Sequence, residues 1–492
     1  MLNKIKTLKK PLIIILVLAT LFVVGKNIFS PKHSANKEAE TKHFSEPVAK
    51  NVILYIGDGM GPEAMGLLMQ YARYAQNSKY IEKQSVLEKF MNDSAQGLVL
   101  NNIHNGIVTD SAAAITQMTS GEISSAGYIG MNYKKQPVKT VLVKAKENGK
   151  AVGIVCDSEL IDATPSGLVA HNLNRYDKDN IAEDMINSNV DVMLSGGLAY
   201  FISKKQKGSK RTDNKDLVAL AHKKGYDIVY DKKGLRNSRS GKILGLFSNK
   251  YMPYAIDKYE RENLYVPDLS SMALKALRVL SKKEDGFFLM VEAAKLDWAL
   301  HMQDAGATMH EMLAFDETLA FLYKYAYNHP DTLLIVTADH DTGGFGFEYN
   351  KDKSEKQVIA IDGSKAKMGY KNFASYENLD RLYGQKTLWQ NFQKEFESFP
   401  KDQQNLSNFT ALFNNMFAMF LDKQELKQIF ETRDYKAAKT LLDAKRNVVW
   451  ATNNHISTPV NVIAYGAGSE YFKGVYHNTE IATKISVILG LE

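Results

Sequence analysis

Along the chain, short unbroken apolar runs end abruptly in glycine, aspartate, glutamate or histidine, and the pattern recurs at long intervals. Asn51-Val-Ile-Leu-Tyr-Ile-Gly-Asp-Gly-Met-Gly61 has five apolar residues and then Gly57-Asp58-Gly59. Ala151–Cys156 leads to Asp162-Ala-Thr164-Pro165, Phe287–Val291 ends at Glu292, Thr332–Val336 runs on to Asp339-His340, and Val460–Gly466 follows His455. Runs this short, with no polar alternation, predict strands covered on both faces, as in a parallel sheet. Helical periods lie between them, for example over Thr308–Asn328. Strands alternating with helices predict an α/β three-layer sandwich, a large and mostly parallel central sheet with helices on both faces. Ligands of such sheets gather beyond the carboxyl ends of the strands, which is where the chemistry-bearing residues of this chain fall.

Two stretches break the pattern. Residues 347–454 are rich in Lys, Gln, Asn, Phe and Met, with helical stripes at Leu412, Phe413, Met416, Phe417 and Phe420 and again at Leu426, Phe430, Leu441 and Leu442. They predict a mainly helical insertion into a catalytic domain of residues 51–346 and 455–492. The stripes suit a small core of the insertion's own, and a lid or a homodimer contact is the sharper alternative. At the other end, Lys4, Lys6, Lys9 and Lys10 precede an apolar run from Leu12 to Val24. A run of that length fits a signal-peptide core better than a full membrane span of about 20 residues. Residues 1–28 are therefore expected to be a signal peptide or an uncleaved N-terminal membrane anchor. Residues 29–50 read as a polar linker, and the folded part as exported, periplasmic or extracellular.

Composition sharpens this in two places. The 492 residues carry a formal charge of +7, but residues 1–50 account for +6 of it, which leaves the rest close to neutral. The basic balance therefore belongs to the N-terminus and predicts no nucleic-acid partner, since such a partner calls for cations clustered in the folded part. The single cysteine, Cys156, forbids an intrachain disulfide, and its apolar neighbours predict a buried thiol.

The candidate chemistry starts at Thr109-Asp110-Ser111 followed by three alanines. Thr or Asp ahead of an alanine-rich stretch signals a helix N-cap, which puts Ser111 in the first turn, where free N–H groups and the dipole favour anions. A serine there is a candidate nucleophile toward phosphorus, though a solvated serine behind a capping aspartate has the same signature. In Glu292-Ala-Ala-Lys-Leu-Asp297-Trp-Ala-Leu-His301, the i, i+4 spacing puts Asp297 and His301 on one helix face, as a metal pair or a plain surface pair. Glu292, at the strand end, suits a neighbouring site. Asp339-His340 precedes Asp341-Thr-Gly-Gly344, irregular backbone on which adjacent residues can both ligate, and His455 lies on a loop. Mixed His and carboxylate ligands suit zinc, and Asp, Glu and Thr oxygens suit magnesium. The other eight histidines read as ordinary.

Taken in order, these segments resemble the alkaline phosphatase family. They are Ile56-Gly-Asp58-Gly-Met-Gly61, Thr109-Asp-Ser111-Ala, Asp162-Ala-Thr164-Pro165 with Arg175 downstream, Glu292 with Asp297 and His301, Thr337-Ala-Asp339-His340-Asp-Thr-Gly-Gly344, and His455 ahead of Pro459 and Ala464-Tyr-Gly466. The resemblance implies that Asp297, His301 and His455 hold one zinc. It implies a second zinc on Asp58, Asp339 and His340 that also meets the Ser111 oxygen, and a magnesium on Asp58, Thr164 and Glu292. Arg175 would grip two phosphate oxygens, and Ser111 would form a phosphoserine. The chain departs from the family at His455, which stands in Asn453-Asn-His-Ile-Ser-Thr where many relatives have His-Thr-Gly. Trp298, beside Asp297, occupies a position that varies among relatives.

The function expected from all this is an exported phosphate monoester hydrolase acting on small phosphomonoesters. A phosphodiesterase or nucleotide pyrophosphatase of the same superfamily is the enzymatic alternative. An inactive metal-binding or adhesion module is the alternative from another class, disfavoured because the nucleophile, Arg175 and every ligand position are filled.

Overall fold

The structure is a computed structural model and describes residues 48–257, 264–348, 350–359, 365–372, 374–419 and 421–491. The expected N-terminal signal or anchor and nearly all of the linker lie outside the described residues. Among the described residues, no helix is long and apolar enough to cross a membrane.

Ten strands form the central sheet: β1 (Asn51–Gly57), β2 (Ala95–Leu100), β3 (Ala151–Glu159), β4 (Val192–Gly196), β5 (Asp227–Val229), β6 (Ile243–Leu246), β7 (Phe287–Ala293), β8 (Thr332–Thr337), β9 (Val460–Gly466) and β10 (Gly474–His477). Their order is β10-β2-β9-β8-β1-β7-β3-β4-β6-β5. β1 pairs in parallel with both β7 and β8, and β3 with both β7 and β4. Only β9 runs against the rest, antiparallel to β8 and β2. The central strands read as continuous apolar runs because both faces are covered: every residue of β1, β7 and β8 is buried.

The helices that matter for function are α1 (Pro62–Tyr74), α2 (Ser111–Ser120), α3 (Lys232–Asn237), α4 (Leu269–Leu280), α5 (Lys295–His301), α6 (Ala305–Asn328) and α7 (Thr479–Leu489). α2 begins where expected. The Asp110 side chain accepts the Ala113 N–H as its N-cap, and Gly121 closes the helix at φ +83°.

The insertion departs from the helical expectation at its start. An antiparallel strand pair, Asn350–Ile359 with Lys365–Asn372, precedes five helices that begin at Glu377 and end at Lys445. The aromatic stripes gather as expected in a core of their own, with Phe392, Phe396, Phe409, Phe413 and Phe417 all fully buried. The neck of the insertion is closed by short ladders, Phe345–Phe347 with Val448–Trp450 and Asp341–Thr342 with His455–Ile456. Those ladders cancel the long sequence gap between His340 and His455.

Candidate metal and phosphoryl centre

All the residues singled out in the sequence lie at one edge of the sheet, and the topology explains why. Asp58 follows the last residue of β1, and the β1–β7 register sets Ile56 beside Glu292. Asp339 and His340 follow β8, Thr164 follows β3 in the one-turn helix Ala163–Ser166, and Asp297 and His301 sit on α5 just beyond β7. His455 precedes β9, the reversed strand, so its amino end lies where its neighbours have their carboxyl ends. Gly59, at φ +68°, is required by close approach, because a Cβ there would stand 2.8 Å from Asp297 Oδ1. Its N–H donates to Asp339 Oδ1 at 3.1 Å, tying the β1 and β8 loops together.

Two clusters share the His340 ring. Ligand atoms of Asp58, Asp339 and His340 lie within 4.8 Å of one another, and so do those of Asp297, His340 and His455. His340 Nε2 is 3.1 Å from Asp339 Oδ2, 3.7 Å from Asp58 Oδ1 and 3.3 Å from the Ser111 hydroxyl. His301 Nε2 stands 3.3 Å from Asp297 Oδ2 and 3.1 Å from His455 Nε2. Each imidazole has its other nitrogen engaged: Nδ1 of His301 with the Asn453 carbonyl, of His455 with the Thr109 carbonyl, and of His340 with the Thr342 hydroxyl. Such outer partners fix the rings and aim Nε2 inward, as in metal sites.

The electrostatics call for cations. Burial, followed by the charges of Asp339, Asp297 and Glu292, pushes the Asp58 carboxyl well above its usual pKa. Burial, then Asp162 and Asp157, does the same to Glu292. Burial also works against ionised Asp339, but His340 outweighs it and holds that carboxyl below its usual range. Asp58 Oδ1, Thr164 Oγ1, Glu292 Oε2 and Asp339 Oδ2 are buried without a hydrogen-bond partner. Orphaned oxygens of this kind are costly unless something positive meets them. The donor set, hard oxygens around Asp58, Thr164 and Glu292 and mixed imidazole and carboxylate elsewhere, fits divalent cations.

Arg175 stands beside these clusters, its guanidinium 3.1 Å from Asp110 Oδ2 and 3.4 Å from Asp162 Oδ1. Burial opposes its charge, but Asp162 and Asp110 outweigh burial and raise its pKa. Asp110 thus both caps the helix that begins with Ser111 and pairs with Arg175, linking the two through one carboxylate.

The alkaline phosphatase family profile matches residues 49–491. This chain belongs to the alkaline phosphatase family. It is 31% identical over 470 residues to alkaline phosphatase 3 of Bacillus subtilis (strain 168), a match covering 91% of this chain and 90% of that one. The structure of Thermus thermophilus alkaline phosphatase matches with a TM-score of 0.77 at 27% identity, over 94% of this chain and 96% of that one. A variant of the alkaline phosphatase from the Antarctic bacterium TAB5, solved with magnesium bound, matches with a TM-score of 0.61 at 26% identity, over 91% and 99% of the two chains. As an alkaline phosphatase, the chain is a phosphoric monoester hydrolase of a metal-dependent family.

Sequence reading missed several residues that shape this alkaline phosphatase site. Asp157 Oδ1 accepts the N–H groups of Ala294 and Lys295, at 2.7 and 3.2 Å, and so fixes the turn between β7 and α5 that carries Glu292 and Asp297. Burial raises its pKa to about 6. The Thr342 hydroxyl donates to Asp297 Oδ1 at 2.6 Å and joins the two clusters. Lys295 is fully buried, its ammonium 3.6 Å from the Trp298 ring centre and 3.7 Å from that of Tyr251. Burial lowers the Lys295 pKa to about 7, and Trp298 packs against this buried amino group rather than standing free. Only Thr342 had a signal in the sequence, its place in the segment that follows His340.

Proposed function

We propose that this alkaline phosphatase is an exported hydrolase of small phosphate monoesters that works through a phosphoserine at Ser111. The observation that carries the reading is the Ser111 hydroxyl, 3.3 Å from His340 Nε2 at the first turn of α2, with the Asp110–Arg175 pair beside it. Asp297, His301 and His455 would hold one zinc, Asp58, Asp339 and His340 the second, and Asp58, Thr164 and Glu292 a magnesium. When bound, these ions neutralise the buried carboxylates, favour the ionised serine oxygen and offset charge on the leaving oxygen.

The chain's own part is positioning. Arg175 presents a planar fork to two phosphoryl oxygens, a geometric match that Lys does not offer. Free N–H groups at the start of α2 add positive potential on the same side. Ser111 Oγ attacks phosphorus in line, forming one P–O bond as the bond to the leaving alcohol breaks. Water then cleaves the phosphoserine, releasing phosphate and restoring the hydroxyl. A monoester dianion has more charge for Arg175 to meet than a diester has, which favours the monoester. Export rests on the basic start and the apolar run Leu12–Val24.

Turnover of p-nitrophenyl phosphate is expected to exceed that of bis-p-nitrophenyl phosphate, and a diester preference overturns the assignment. Ser111→Ala is expected to lose at least ~10³-fold in kcat while elemental analysis finds the same metal content. Residual activity within about tenfold of the parent removes Ser111 as nucleophile.

A further inference from the structure

Far along the sheet from the hydrolytic centre, a cavity of about 680 Å³ opens beside helices α3 and α4. α3 follows the edge strand β5, which is separated from β3 by β4 and β6. Its walls carry two rows of cations. Lys232, Arg236 and Arg239 are spaced i, i+4, i+7 along and just past α3, and Lys275, Arg278 and Lys282 are spaced i, i+3, i+7 along and just past α4. Lys232 and Arg236 lie one turn apart on α3, and Lys275 and Arg278 on α4, with Arg239 and Lys282 just past the helix ends; all six line the same cavity, a short positively charged trough.

No acidic residue lines this cavity among the described residues. Of the six cations only Lys232 has a carboxylate partner among the described residues, Asp268 at 3.6 Å. Lys275 donates instead to the Ser238 carbonyl at 2.7 Å. Burial, and then the like charges of Arg239, Arg278 and Lys282, lowers the Lys275 pKa. Mutual repulsion on this scale is relieved when an anion enters, which gives the trough an affinity for negative charge. The folded part is nearly neutral overall, so the sequence conceals this cluster in its average.

The shape selects among anions. A volume of this size suits a small ligand, whereas a membrane or a long nucleic acid calls for a basic track running past the cavity. Among the described residues Tyr265 is the one aromatic in the lining, which is little surface for stacking bases. The serine hydroxyls of Ser240 and Ser271 add neutral hydrogen-bonding groups between the cations. Closely spaced charges on a narrow chain meet all these conditions.

We propose that this trough is a second phosphate-binding site, which takes a chain of three or more condensed phosphates, either inorganic or as the tail of a nucleoside triphosphate. The site needs neither Ser111 nor the ligand clusters, so it stands or falls apart from the reading of the active centre.

The test is calorimetric binding of sodium tripolyphosphate to the full chain carrying Ser111→Ala, so that the probe is not consumed. Adding Arg236→Gln and Arg278→Gln, both at exposed positions, is expected to weaken tripolyphosphate at least ~30-fold and to flatten its salt dependence. The same pair placed in the Ser111 parent is expected to leave p-nitrophenyl phosphate turnover unchanged, which certifies the fold. ATP equal to tripolyphosphate identifies the phosphate chain as the whole recognised unit, and tighter ATP identifies the nucleotide as the source; both support the site. Unchanged tripolyphosphate affinity in the neutralised protein overturns it. So does a preference for orthophosphate, or for a DNA oligonucleotide, over tripolyphosphate.

Discussion

The carboxyl edge of the sheet and the helices of the insertion are both buried, yet they follow opposite rules. In the insertion, Phe392, Phe396, Phe409 and Phe413 meet largely edge-on, as aromatic rings prefer, and the exposed Arg433 lays its guanidinium over Phe396 and Phe430 from outside, at 4.8 and 4.4 Å. At the sheet edge, Asp58, Asp297 and Asp339 crowd around the buried His340 with Glu292 nearby, and oxygens of Asp58, Glu292 and Asp339 lack hydrogen-bond partners. The first arrangement is complete as it stands. The second is complete only with a ligand, and that asymmetry separates a structural core from a functional one.

The comparison breaks most sharply on removing metal. Exhaustive chelation is expected to abolish turnover and to lower Tm, and zinc with magnesium is expected to restore both. Indifference to chelator in both readouts puts the two regions back on equal terms. Next in size is Phe409→Ala, which should destabilise the insertion by ~3–5 kcal/mol in denaturant unfolding, with kcat for p-nitrophenyl phosphate within about twofold of the parent. A large fall in kcat for the folded variant would show that the insertion takes part in the chemistry.

The smallest effect concerns Glu311 on α6, buried and accepting the Ala255 N–H at 2.7 Å. Burial first, and then Asp157, lifts its pKa to about 8. The folded state therefore holds a proton that the unfolded chain releases near pH ~4.3. The stability this contributes is fully present below that lower value and is lost as pH rises through about 8. Glu311→Gln is expected to raise Tm relative to the parent by more at pH 8 than at pH 5. An equal shift at both values would place the effect in packing.

What could be read in advance follows the same division. β1, β7 and β8 were legible because strands covered on both faces are written as unbroken apolar runs, and β9 because only Asn461 interrupts its own. β2, Ala-Gln-Gly-Leu-Val-Leu, was not, since four of its six residues are exposed or partly so and its composition is mixed. The hairpin at the start of the insertion was missed for a related reason: its first strand is polar almost throughout, which outweighs the short alternation of Ala366, Met368 and Tyr370 in the second. The site's residues were legible one by one from their place after strands. Their partnerships were not, because Arg175 and Asp110 are 65 residues apart and His301 and His455 are 154 apart. Asp157 and Lys295 carried no signal, since an acid and a lysine in ordinary surroundings look the same whether they brace a turn or face water. The cations of the trough were equally hidden, because they meet only in the fold and net charge averages them away.

The reversed direction of β9 also has a mechanical consequence. His455 reaches the cluster from the far side of the insertion, and its two-residue ladder with Asp341–Thr342 brings it beside His301 and His340. Strain at the neck of the insertion is therefore transmitted to His455 first, while Asp58 and Asp339 stay fixed by the pairing of β1 with β8.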